Sequence, residues 1–369
     1  MVPRPVRVLF LIPNLTVGGT ERVIVTLVNH LDRSKFDLTI GVLDTRGAAF
    51  LKEQLAVDIK LYDLGVPRVR YALPKLIRFI WRLRPDVVVS TMGHLNIALA
   101  AAIPFLPQKT RYVARETCIV SEQLRSSAFW ASWAWAYRYF YPRFDRIICQ
   151  SAYMRDDFAV RFFIPISKLT VINNPLDIDR ITKLAQQPLK CPLHNSLERQ
   201  SKGIVKLVAA GRLSREKGFD ILIEAIALSS LRQLSVTILG RGHLLETLRA
   251  LARSKGVEHQ VRFIGFQENP YAFMSRADAF VLCSRHEGFP NVVLEALACG
   301  TPIIATPAIG GIKEIAHATG GVQLASAVSA EALSRELRRF VENGPRDKIV
   351  TLQKFSLGKI LEEYSAVLS

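Results

Sequence analysis

Apolar residues along the chain fall into short runs that alternate with segments of helical periodicity. The predicted strands, short and rich in aliphatic residues, are Val6–Ile12, Asp37–Leu43, Asp86–Ser90, Tyr112–Ala114, Arg146–Gln150, Val205–Ala210, Ser235–Leu239, Val261–Phe263, Ala279–Cys283 and Ile303–Ala305. The predicted helices are Thr20–Leu31, Leu73–Leu83, Asn96–Ile103, Ser127–Tyr141, Ser151–Val160, Phe219–Leu228, Leu244–Lys255, Asn269–Ser275, Val292–Cys299, Ala330–Asn343 and Lys348–Leu368. This alternation predicts the α/β class with parallel, doubly wound sheets.

The alternation is interrupted once, which predicts two domains. It ends in a turn signal at residues 171–175 and restarts at Val205, after a polar stretch from Lys183 to Gly203 that we interpret as a linker or surface excursion. A chain of 369 residues is also long for one hydrophobic core. We therefore predict domains at residues 1–176 and 177–347, with a terminal helix over 348–369. A ligand site is expected in a cleft between the strand C-terminal ends.

The segment around Glu287 carries the most chemical information. Glu287 follows an apolar run, and Gly288, Phe289 and Pro290 separate it from the start of a predicted helix. Carboxylates in such a junction accept hydrogen bonds from the vicinal hydroxyls of sugars, and amides at a helix start, here near Asn291 and Val292, attract phosphate. Pro290 suits the first helical turn.

A second acid, Glu295, lies inside that helix. Its neighbours Val292 to Leu294 and Ala296 to Ala298 are all apolar. A glutamate in such surroundings is expected to be paired or functional rather than simply solvated. A ribose, which also presents two hydroxyls, is a suitable ligand.

Cations are predicted at another strand–helix junction. Arg212 and Lys217 lie in the loop from Gly211 to Gly218, where an arginine supplies bidentate donors to phosphate and a lysine supplies a point charge. Together they would neutralise a diphosphate without a metal. The alternative is a pair of solvated loop charges.

Further loops are weaker signals when each is taken alone. Gly18 and Gly19 precede a helix, where backbone N–H groups can meet an anion, and Gly240-Arg241-Gly242 and Gly310-Gly311 follow the same pattern. Each by itself indicates only a tight turn. His94, just after a predicted strand, suits either a structural role or hydrogen bonding near a reacting centre.

The charge balance points to an anionic partner without choosing one. The formal net charge is +17, and residues 1–175 carry 24 basic and 13 acidic side chains. Nucleic acid, an anionic membrane surface, phosphorylated substrates and a merely solvated basic surface all fit. The aromatic stretch 129–141 is likewise compatible with a packed helix, a membrane-surface element or an acceptor platform.

Other classes of protein receive little support. No apolar run reaches the ~18 residues of a membrane span, and the N-terminus lacks the pattern of a signal peptide, so we expect a cytoplasmic protein. The five cysteines are scattered and form no C-x-x-C, which favours isolated buried thiols over zinc or redox chemistry.

Three motifs together resemble a known family. Gly18-Gly19-Thr20-Glu21, Gly211-Arg212 with Glu216-Lys217-Gly218, and Glu287-Gly288-Phe289-Pro290 with Glu295-Ala296 and Gly300-Thr301-Pro302 are similar to the retaining nucleotide-sugar glycosyltransferases of GT-B fold, family 4 (glycosyl transferases group 1). The resemblance covers nearly the whole chain and is most specific between Val205 and Ala325. It implies two Rossmann-like domains that face each other across a cleft, the first for the acceptor and the second for the donor, and a C-terminal helix that crosses back to the first.

The resemblance also implies roles for individual residues. Arg212 and Lys217 would bind the donor diphosphate, Glu287 the transferred sugar and Glu295 the ribose, with His94 near the donor sugar. Backbone groups complete the implied donor site, at Gly18, Gly19, Gly265, Phe266, Gly288, Phe289, Pro290, Asn291 and Val292.

The family implies retention of configuration, front-face attack and no metal or other cofactor. In agreement, neither predicted site loop has a D-x-D motif, since Asp177-Ile178-Asp179 lies between the domains.

We thus expect a glycosyltransferase that uses a UDP- or GDP-sugar and a glycan or lipid-linked acceptor, as a cytoplasmic protein with peripheral contact to the inner face of the membrane. The alternatives are a non-catalytic sugar-nucleotide-binding protein and a sugar-nucleotide epimerase of similar shape. Nucleic-acid binding rests on charge alone and is not expected.

Overall fold

A computed structural model describes residues 4–16, 18–125, 127–189, 203–344 and 350–369. The chain forms two compact units, Met1–Pro175 with Leu357–Ser369, and Leu176–Ser356. The boundaries expected from the sequence were after residues 176 and 347. The C-terminal part of the first unit begins at Leu357 rather than at residue 348.

The first unit is built on a seven-stranded parallel sheet of order β3-β2-β1-β4-β5-β6-β7. Its strands are β1 (Val6–Asn14), β2 (Phe36–Asp44), β3 (Lys60–Asp63), β4 (Val87–Thr91), β5 (Arg111–Arg115), β6 (Arg146–Cys149) and β7 (Leu169–Val171). The order reverses between β1 and β4, as in doubly wound folds. The sequence did not predict β3 and β7, which are edge strands too short or too exposed to leave an apolar run.

Helices cover both faces of this sheet and enclose two hydrophobic clusters. They are α1 (Gly19–His30), α2 (Ala49–Lys52), α3 (Leu73–Leu83), α4 (Gly93–Ala102), α5 (Val120–Leu124), α6 (Trp130–Phe140) and α7 (Ala152–Arg161). The C-terminal helix Leu357–Leu368 adds Ile360, Tyr364 and Leu368 to one cluster. Each fully buried side chain of this kind contributes roughly 1.5–3 kcal/mol.

The second unit has a six-stranded parallel sheet of order β10-β9-β8-β11-β13-β15 and a small two-stranded sheet of β12 and β14. The strands are β8 (Val205–Ala210), β9 (Leu234–Leu239), β10 (Val261–Gly265), β11 (Ala279–Leu282), β12 (His286–Glu287), β13 (Ile303–Ala305), β14 (Ile309–Gly310) and β15 (Val322–Leu324). The helices of this unit are α8 (Ile178–Ala185), α9 (Phe219–Ser229), α10 (Leu245–Ser254), α11 (Tyr271–Met274), α12 (Asn291–Ala298), α13 (Ile312–Thr319) and α14 (Ala330–Asn343). The C-terminal helix of the first unit is α15 (Leu357–Leu368). Two parallel, doubly wound α/β units confirm the predicted fold class.

The region interpreted as a linker is partly helical. α8 extends to Ala185, and residues 190–202 lie outside the described part of the chain. The Asp177 side chain accepts a hydrogen bond from the Arg180 amide at 3.0 Å, so the D-x-D sequence here is a helix cap.

Among the described residues, no helix combines the length and apolarity needed to cross a membrane. The described cysteines are all free thiols, Cys118, Cys149, Cys283 and Cys299, while Cys191 lies outside the described residues. Burial raises the pKa of each described thiol.

Candidate functional site

Lys217 and Glu287, 70 positions apart in the sequence, form an ion pair in the second unit. Lys217 Nζ lies 2.6 Å from Glu287 Oε1, and Ser284 Oγ donates to the same oxygen at 2.7 Å. Only 10% of the Glu287 side chain is exposed, against 25% for Lys217. Two residues that the sequence assigned to donor binding are thus in direct contact, with their charges partly shielded from water.

Arg285 holds the two loops of this pair together. Its guanidinium donates to both carboxylate oxygens of Asp220, at 2.8 and 2.6 Å, and to the Arg215 carbonyl at 2.9 Å. Its own amide donates to the Glu216 carbonyl at 2.8 Å. Burial acts to raise the pKa of Asp220, but the hydrogen bonds and charge of Arg285 outweigh it and hold that pKa below its usual value.

The Arg285–Asp220 pair was not predicted from the sequence. The sequence shows only an arginine just before the acidic motif and an aspartate two residues after Gly218. No repeat or spacing links these two positions.

Arg212 is exposed, and its guanidinium makes no hydrogen bond to any other described residue. Nearby, Ser214 Oγ donates to Glu216 Oε1 at 2.5 Å. Burial acts to raise the pKa of Glu216, yet this hydrogen bond and the charges of Lys217 and Arg212 lower it. Glu216 is therefore ionised, and Arg212 remains available to an external anion.

Two glycines allow these loops to meet backbone to backbone. A Cβ at Gly218, where φ is +64°, would lie 2.0 Å from the Cys283 carbonyl oxygen. A Cβ at Gly240, where φ is +141°, would lie 1.8 Å from the Gly211 carbonyl oxygen. The Gly240-Arg241-Gly242 turn, expected to be only a turn, therefore packs directly against the loop that carries Arg212.

The helix start after the acidic loop differs in detail from its prediction. Pro290 is the N-cap of α12 rather than part of its first turn. The Asn291 amide donates to the Phe289 carbonyl at 3.0 Å, so it is engaged within the protein. The Phe289 side chain is buried and packs on Phe355, with ring centroids 5.8 Å apart. This segment therefore offers backbone rather than the Phe289 ring to a ligand.

The glycine-rich loop at Gly310-Gly311 lies against the acidic loop. β12 and β14 pair in parallel, with Glu287 opposite Gly310. The Gly311 amide donates to the carbonyls of Glu287 and Gly288, at 3.3 and 3.2 Å. The structure thus brings this loop, which the sequence left ambiguous, to Glu287.

Glu295 is half-buried on α12, between the buried residues Leu294 and Ala296. At the end of β10, the Gly240 amide donates to the Gly265 carbonyl at 2.8 Å, and the Arg241 guanidinium lies 5.9 Å from the centroid of the Phe266 ring. Phe266 is half-buried and Arg241 is exposed, and the two make a cation–π contact at this strand end.

The first unit holds the other predicted positions. Gly18 is the N-cap of α1, Gly19 is its exposed first residue, and Val17 lies outside the described residues. A Cβ at Gly18 would lie 2.3 Å from Glu21 Oε2, so the buried Glu21 carboxylate folds back over the helix start, as in a capping box. An anion that binds here shares the helix start with Glu21.

His94 is the second residue of α4 and is exposed. It follows Met92, whose φ of +72° is rare for a non-glycine residue. Neighbouring protein atoms displace part of the water around the imidazole, and this desolvation lowers the His94 pKa. His94 is therefore neutral at neutral pH, with one ring nitrogen as donor and the other as acceptor. Among the described residues, no group of three or more His, Cys, Asp or Glu side chains is placed to hold a metal.

Two family models match the chain. Residues 17–180 match the Glycosyltransferase Family 4 model, and residues 196–352 match Glycosyl transferases group 1.

Several glycosyltransferases are similar in sequence over most of the chain. The lipopolysaccharide core biosynthesis glycosyltransferase LpsE of Rhizobium meliloti is 31% identical over 305 residues, covering 79% of this chain and 77% of LpsE. The N-acetylgalactosamine-N,N'-diacetylbacillosaminyl-diphospho-undecaprenol 4-alpha-N-acetylgalactosaminyltransferase of Campylobacter jejuni is 28% identical over 313 residues, covering 82% and 81%. An uncharacterized glycosyltransferase of Methanocaldococcus jannaschii is 27% identical over 252 residues, and the match spans only 60% of its length.

Among solved structures, Anabaena Alr3699/HepE in complex with UDP and glucose superposes with a TM-score of 0.74 at 20% identity, covering 99% of this chain and 95% of HepE. At that identity the likeness concerns the fold, which is GT-B. The fold, the two family models and the LpsE alignment lead to one conclusion: the chain belongs to the group 1 (family 4) glycosyltransferases.

Proposed function

We propose that the protein transfers a sugar, with retention of configuration and without a metal, from a UDP- or GDP-sugar to a glycan or lipid-linked acceptor in cell-surface polysaccharide or glycolipid synthesis. The observation that carries this proposal is the shielded Lys217–Glu287 pair beside the exposed Arg212. The C. jejuni relative, which acts on a diphospho-undecaprenol acceptor, and the HepE structure with UDP support the substrate classes.

The cations account for departure of the nucleotide. Cleavage of the glycosidic bond places negative charge on the β-phosphate, and a fixed lysine and arginine stabilise that charge more in the transition state than in the ground state. Lys217 is held in place by Glu287, while Arg212 is free among the described residues to form a bidentate contact. We therefore assign diphosphate binding to Arg212 and Lys217.

The carboxylates account for recognition of the sugar. Glu287 accepts two hydrogen bonds at Oε1 and has a second oxygen for the hydroxyls of the transferred sugar. Glu295 is assigned to the ribose, and the surface around Gly265 and Phe266 to the base. His94, neutral and exposed, is assigned to the donor sugar. With no second carboxylate assigned as a nucleophile, the departing phosphate takes the acceptor proton in front-face attack.

A donor screen tests this proposal. UDP- and GDP-sugars are compared by thermal shift, because a bound donor at 100 times its Kd stabilises the fold by about 2.7 kcal/mol. The stabilising donor is then assayed for transfer and hydrolysis with and without EDTA. We expect Glu287→Ala to lower kcat by about 100-fold, since it removes a shielded contact to the reacting sugar. Glu258→Ala, at an exposed carboxylate of the same unit, is the matched control and is expected to behave as wild type.

The outcomes separate the alternatives. A donor that binds without transfer or hydrolysis indicates a sugar-nucleotide-binding protein. A changed donor sugar without acceptor indicates an epimerase. Wild-type turnover by Glu287→Ala contradicts the site assignment, and an inverted product contradicts retention.

We also propose that the first unit contacts the anionic inner face of the cytoplasmic membrane. Two tryptophans of α6, Trp130 and Trp135, are 60% and 58% exposed, and Arg138 lies over the exposed Phe163 ring at 4.3 Å. Tyr137, seven residues after Trp130, is buried, so α6 is anchored in the core at Tyr137 while its two tryptophans remain exposed. Exposed tryptophans next to arginines suit the headgroup region of an anionic bilayer.

A cavity next to α6 supports the proposed membrane contact. It has a volume of about 450 Å³ and lies between α5, α6 and α7. Its lining combines the apolar side chains of Leu124, Trp130 and Phe162 with the basic Arg125 and Arg161, and the acidic Glu122 lies 3.6 Å from Arg125. Such a lining suits the phosphate and first carbons of an anionic lipid.

Vesicle flotation tests the membrane proposal. The double change Trp130→Ser with Trp135→Ser is expected to lower binding to anionic vesicles at least about tenfold, because two large apolar side chains no longer enter the bilayer. Trp81→Ser is the control, since Trp81 is 45% exposed and belongs to a different helix, α3. Absence of wild-type binding at low salt, or unchanged binding by the double variant, contradicts the proposal.

A further inference from the structure

Buried polar atoms without hydrogen-bond partners are concentrated at the C-terminal ends of β4 and β5. Five of the six such side-chain atoms found in the described residues lie there: Ser90 Oγ, Thr91 Oγ1, Asn96 Oδ1, Arg115 Nη1 and Glu116 Oε2. An unsatisfied buried polar group typically costs about 1–3 kcal/mol. A concentration of them at one edge of a sheet therefore calls for a functional reason.

Glu116 is the centre of this cluster. It is completely buried, and its Oε1 accepts hydrogen bonds from Asn96 Nδ2 at 2.7 Å and from the Tyr141 hydroxyl. Asn96 Nδ2 also donates to the Arg115 carbonyl at 3.2 Å. Asn96 lies in the first turns of α4, two residues after His94. Glu116 is thus connected through one side chain to the helix start that carries His94.

The backbone at that helix start is strained and closely packed. Met92 has φ +72°, a conformation that costs a non-glycine residue about 1–3 kcal/mol. The amides of Leu95 and Asn96 both donate to the Met92 carbonyl, at 3.0 and 2.9 Å. A Cβ at Gly93 would lie 1.8 Å from the Tyr137 hydroxyl oxygen and 3.6 Å from Glu116 Oε2. The strained turn is therefore held by hydrogen bonds to the Met92 carbonyl and by close packing of Gly93 on Tyr137.

We propose that Glu116 is a positioning residue, which through Asn96 and Tyr141 holds the strained turn at Met92 and Gly93 and so sets the direction of His94. This inference rests on the proposed role of His94 at the donor sugar.

The charge state of Glu116 matters to that role. Burial raises its pKa to about 7, and the hydrogen bonds from Tyr141 and Asn96 and the charge of Arg115 only partly oppose this. The Arg115 guanidinium is directed elsewhere, donating to Tyr364 Oη at 3.0 Å and Asn174 Oδ1 at 2.5 Å. The acid is therefore neutral below about pH 7, and a poorly compensated charge forms above it.

The other titratable groups that face Glu116 do not supply a countercharge. α6 contributes Tyr137 and Tyr141, whose pKa values burial raises well above the usual range. Cys118 after β5 and Cys149 on β6 have thiol pKa values that burial also raises, and Asp157 of α7 adds further negative charge near both. Glu116 is consequently the group in this cluster that titrates near neutral pH.

Two substitutions separate positioning from bulk stability. Glu116→Gln keeps the acceptor oxygen and remains neutral, whereas Glu116→Ala removes the contact. Measured as kcat at saturating donor from about pH 6 to about pH 8, wild type is expected to fall several-fold with a midpoint near 7, and Glu116→Gln to stay level. Glu116→Ala is expected to lose about tenfold in kcat at every pH, because His94 is displaced, with donor KM within about twofold.

A second readout does not depend on activity. The ¹H–¹³C signal of the His94 ring, assigned by its loss in His94→Gln, is titrated in each variant. We expect Glu116→Ala to shift both the His94 signal and its pKa, and Glu116→Gln to match wild type below about pH 7, where Glu116 is neutral. Circular dichroism confirms that each variant is folded.

The outcomes are distinguishable from failure of the proposed function. An unchanged His94 titration in Glu116→Ala overturns the positioning role, as does unchanged kcat. A folded Glu116→Gln that behaves like Glu116→Ala also overturns it. If wild type transfers no sugar, the proposed function fails, and the His94 titration still decides whether Glu116 positions the imidazole.

Discussion

Replacing Lys217 by methionine is expected to lower kcat by roughly 100- to 1000-fold, which is the range for loss of one charge-stabilising donor at a developing anion. Methionine keeps the length and the apolar stem of lysine but cannot offset negative charge. Glu287 also loses its partner at 2.6 Å, and the carboxylate, 10% exposed, is left with Ser284 alone among its described contacts at that oxygen. Steady-state transfer with the donor found by the screen measures the effect.

The control and the coupling make this result specific. Lys255→Met is the matched control, because Lys255 is exposed in the same unit and also faces a glutamate, Glu224, at the longer distance of 3.9 Å. This variant is expected to have wild-type kcat. The loss of kcat in the double variant Lys217→Met with Glu287→Gln should be smaller than the product of the two single losses, since both changes disrupt one pair. A Lys217→Met enzyme within about threefold of wild type would refute the assignment of Lys217 to the diphosphate.

Gly240→Ala is expected to destabilise the second unit by several kcal/mol, on the order of the largest single-residue effects. The added methyl group would lie 1.8 Å from the Gly211 carbonyl oxygen, and both partners are backbone. The clash therefore requires the loop carrying Arg212 to move, together with the hydrogen bond from the Gly240 amide to the Gly265 carbonyl. Urea unfolding followed by circular dichroism measures the change.

Gly256→Ala is the matched control for backbone conformation. Gly256 also has positive φ, +70°, but apart from its chain neighbours and local backbone no described residue has an atom within 4 Å of its ideal Cβ. Its cost is expected to be about 1–2 kcal/mol, the penalty for a left-handed alanine. Equal unfolding midpoints for the two variants would show that the contact at Gly240 is relieved without loss of stability, contrary to our expectation.

The hydropathy pattern was sufficient to predict the positions of strands that are buried at the centre of a sheet. β8 and β13 lie at their predicted bounds, because both are central strands with a buried aliphatic core, Leu207–Ala209 in β8 and Ile303–Ala305 in β13. The two-residue strands β12 and β14 were not predicted, since two residues are too few to show a period. They nevertheless connect the acidic loop to the glycine-rich loop.

Side-chain pairing was predictable only where topology implied it. The resemblance assigned Lys217 and Glu287 to one donor site, and in the structure each follows a parallel strand of one sheet, whose C-terminal ends share an edge. The Arg285–Asp220 contact and the burial of Glu116 carry no periodic signal. They depend on rotamers and on local desolvation, which a linear pattern does not encode.

The first compact unit is discontinuous in the chain, since it consists of an N-terminal stretch and the last thirteen residues, Leu357–Ser369. A fragment that ends at Pro175 would lack Ile360 and Tyr364, leaving a groove in its core and removing a hydrogen-bond partner of Arg115. The autonomous folding unit is therefore not a contiguous gene segment. To isolate it, one would graft the C-terminal helix onto the N-terminal part by circular permutation, or supply it as a separate peptide for fragment complementation.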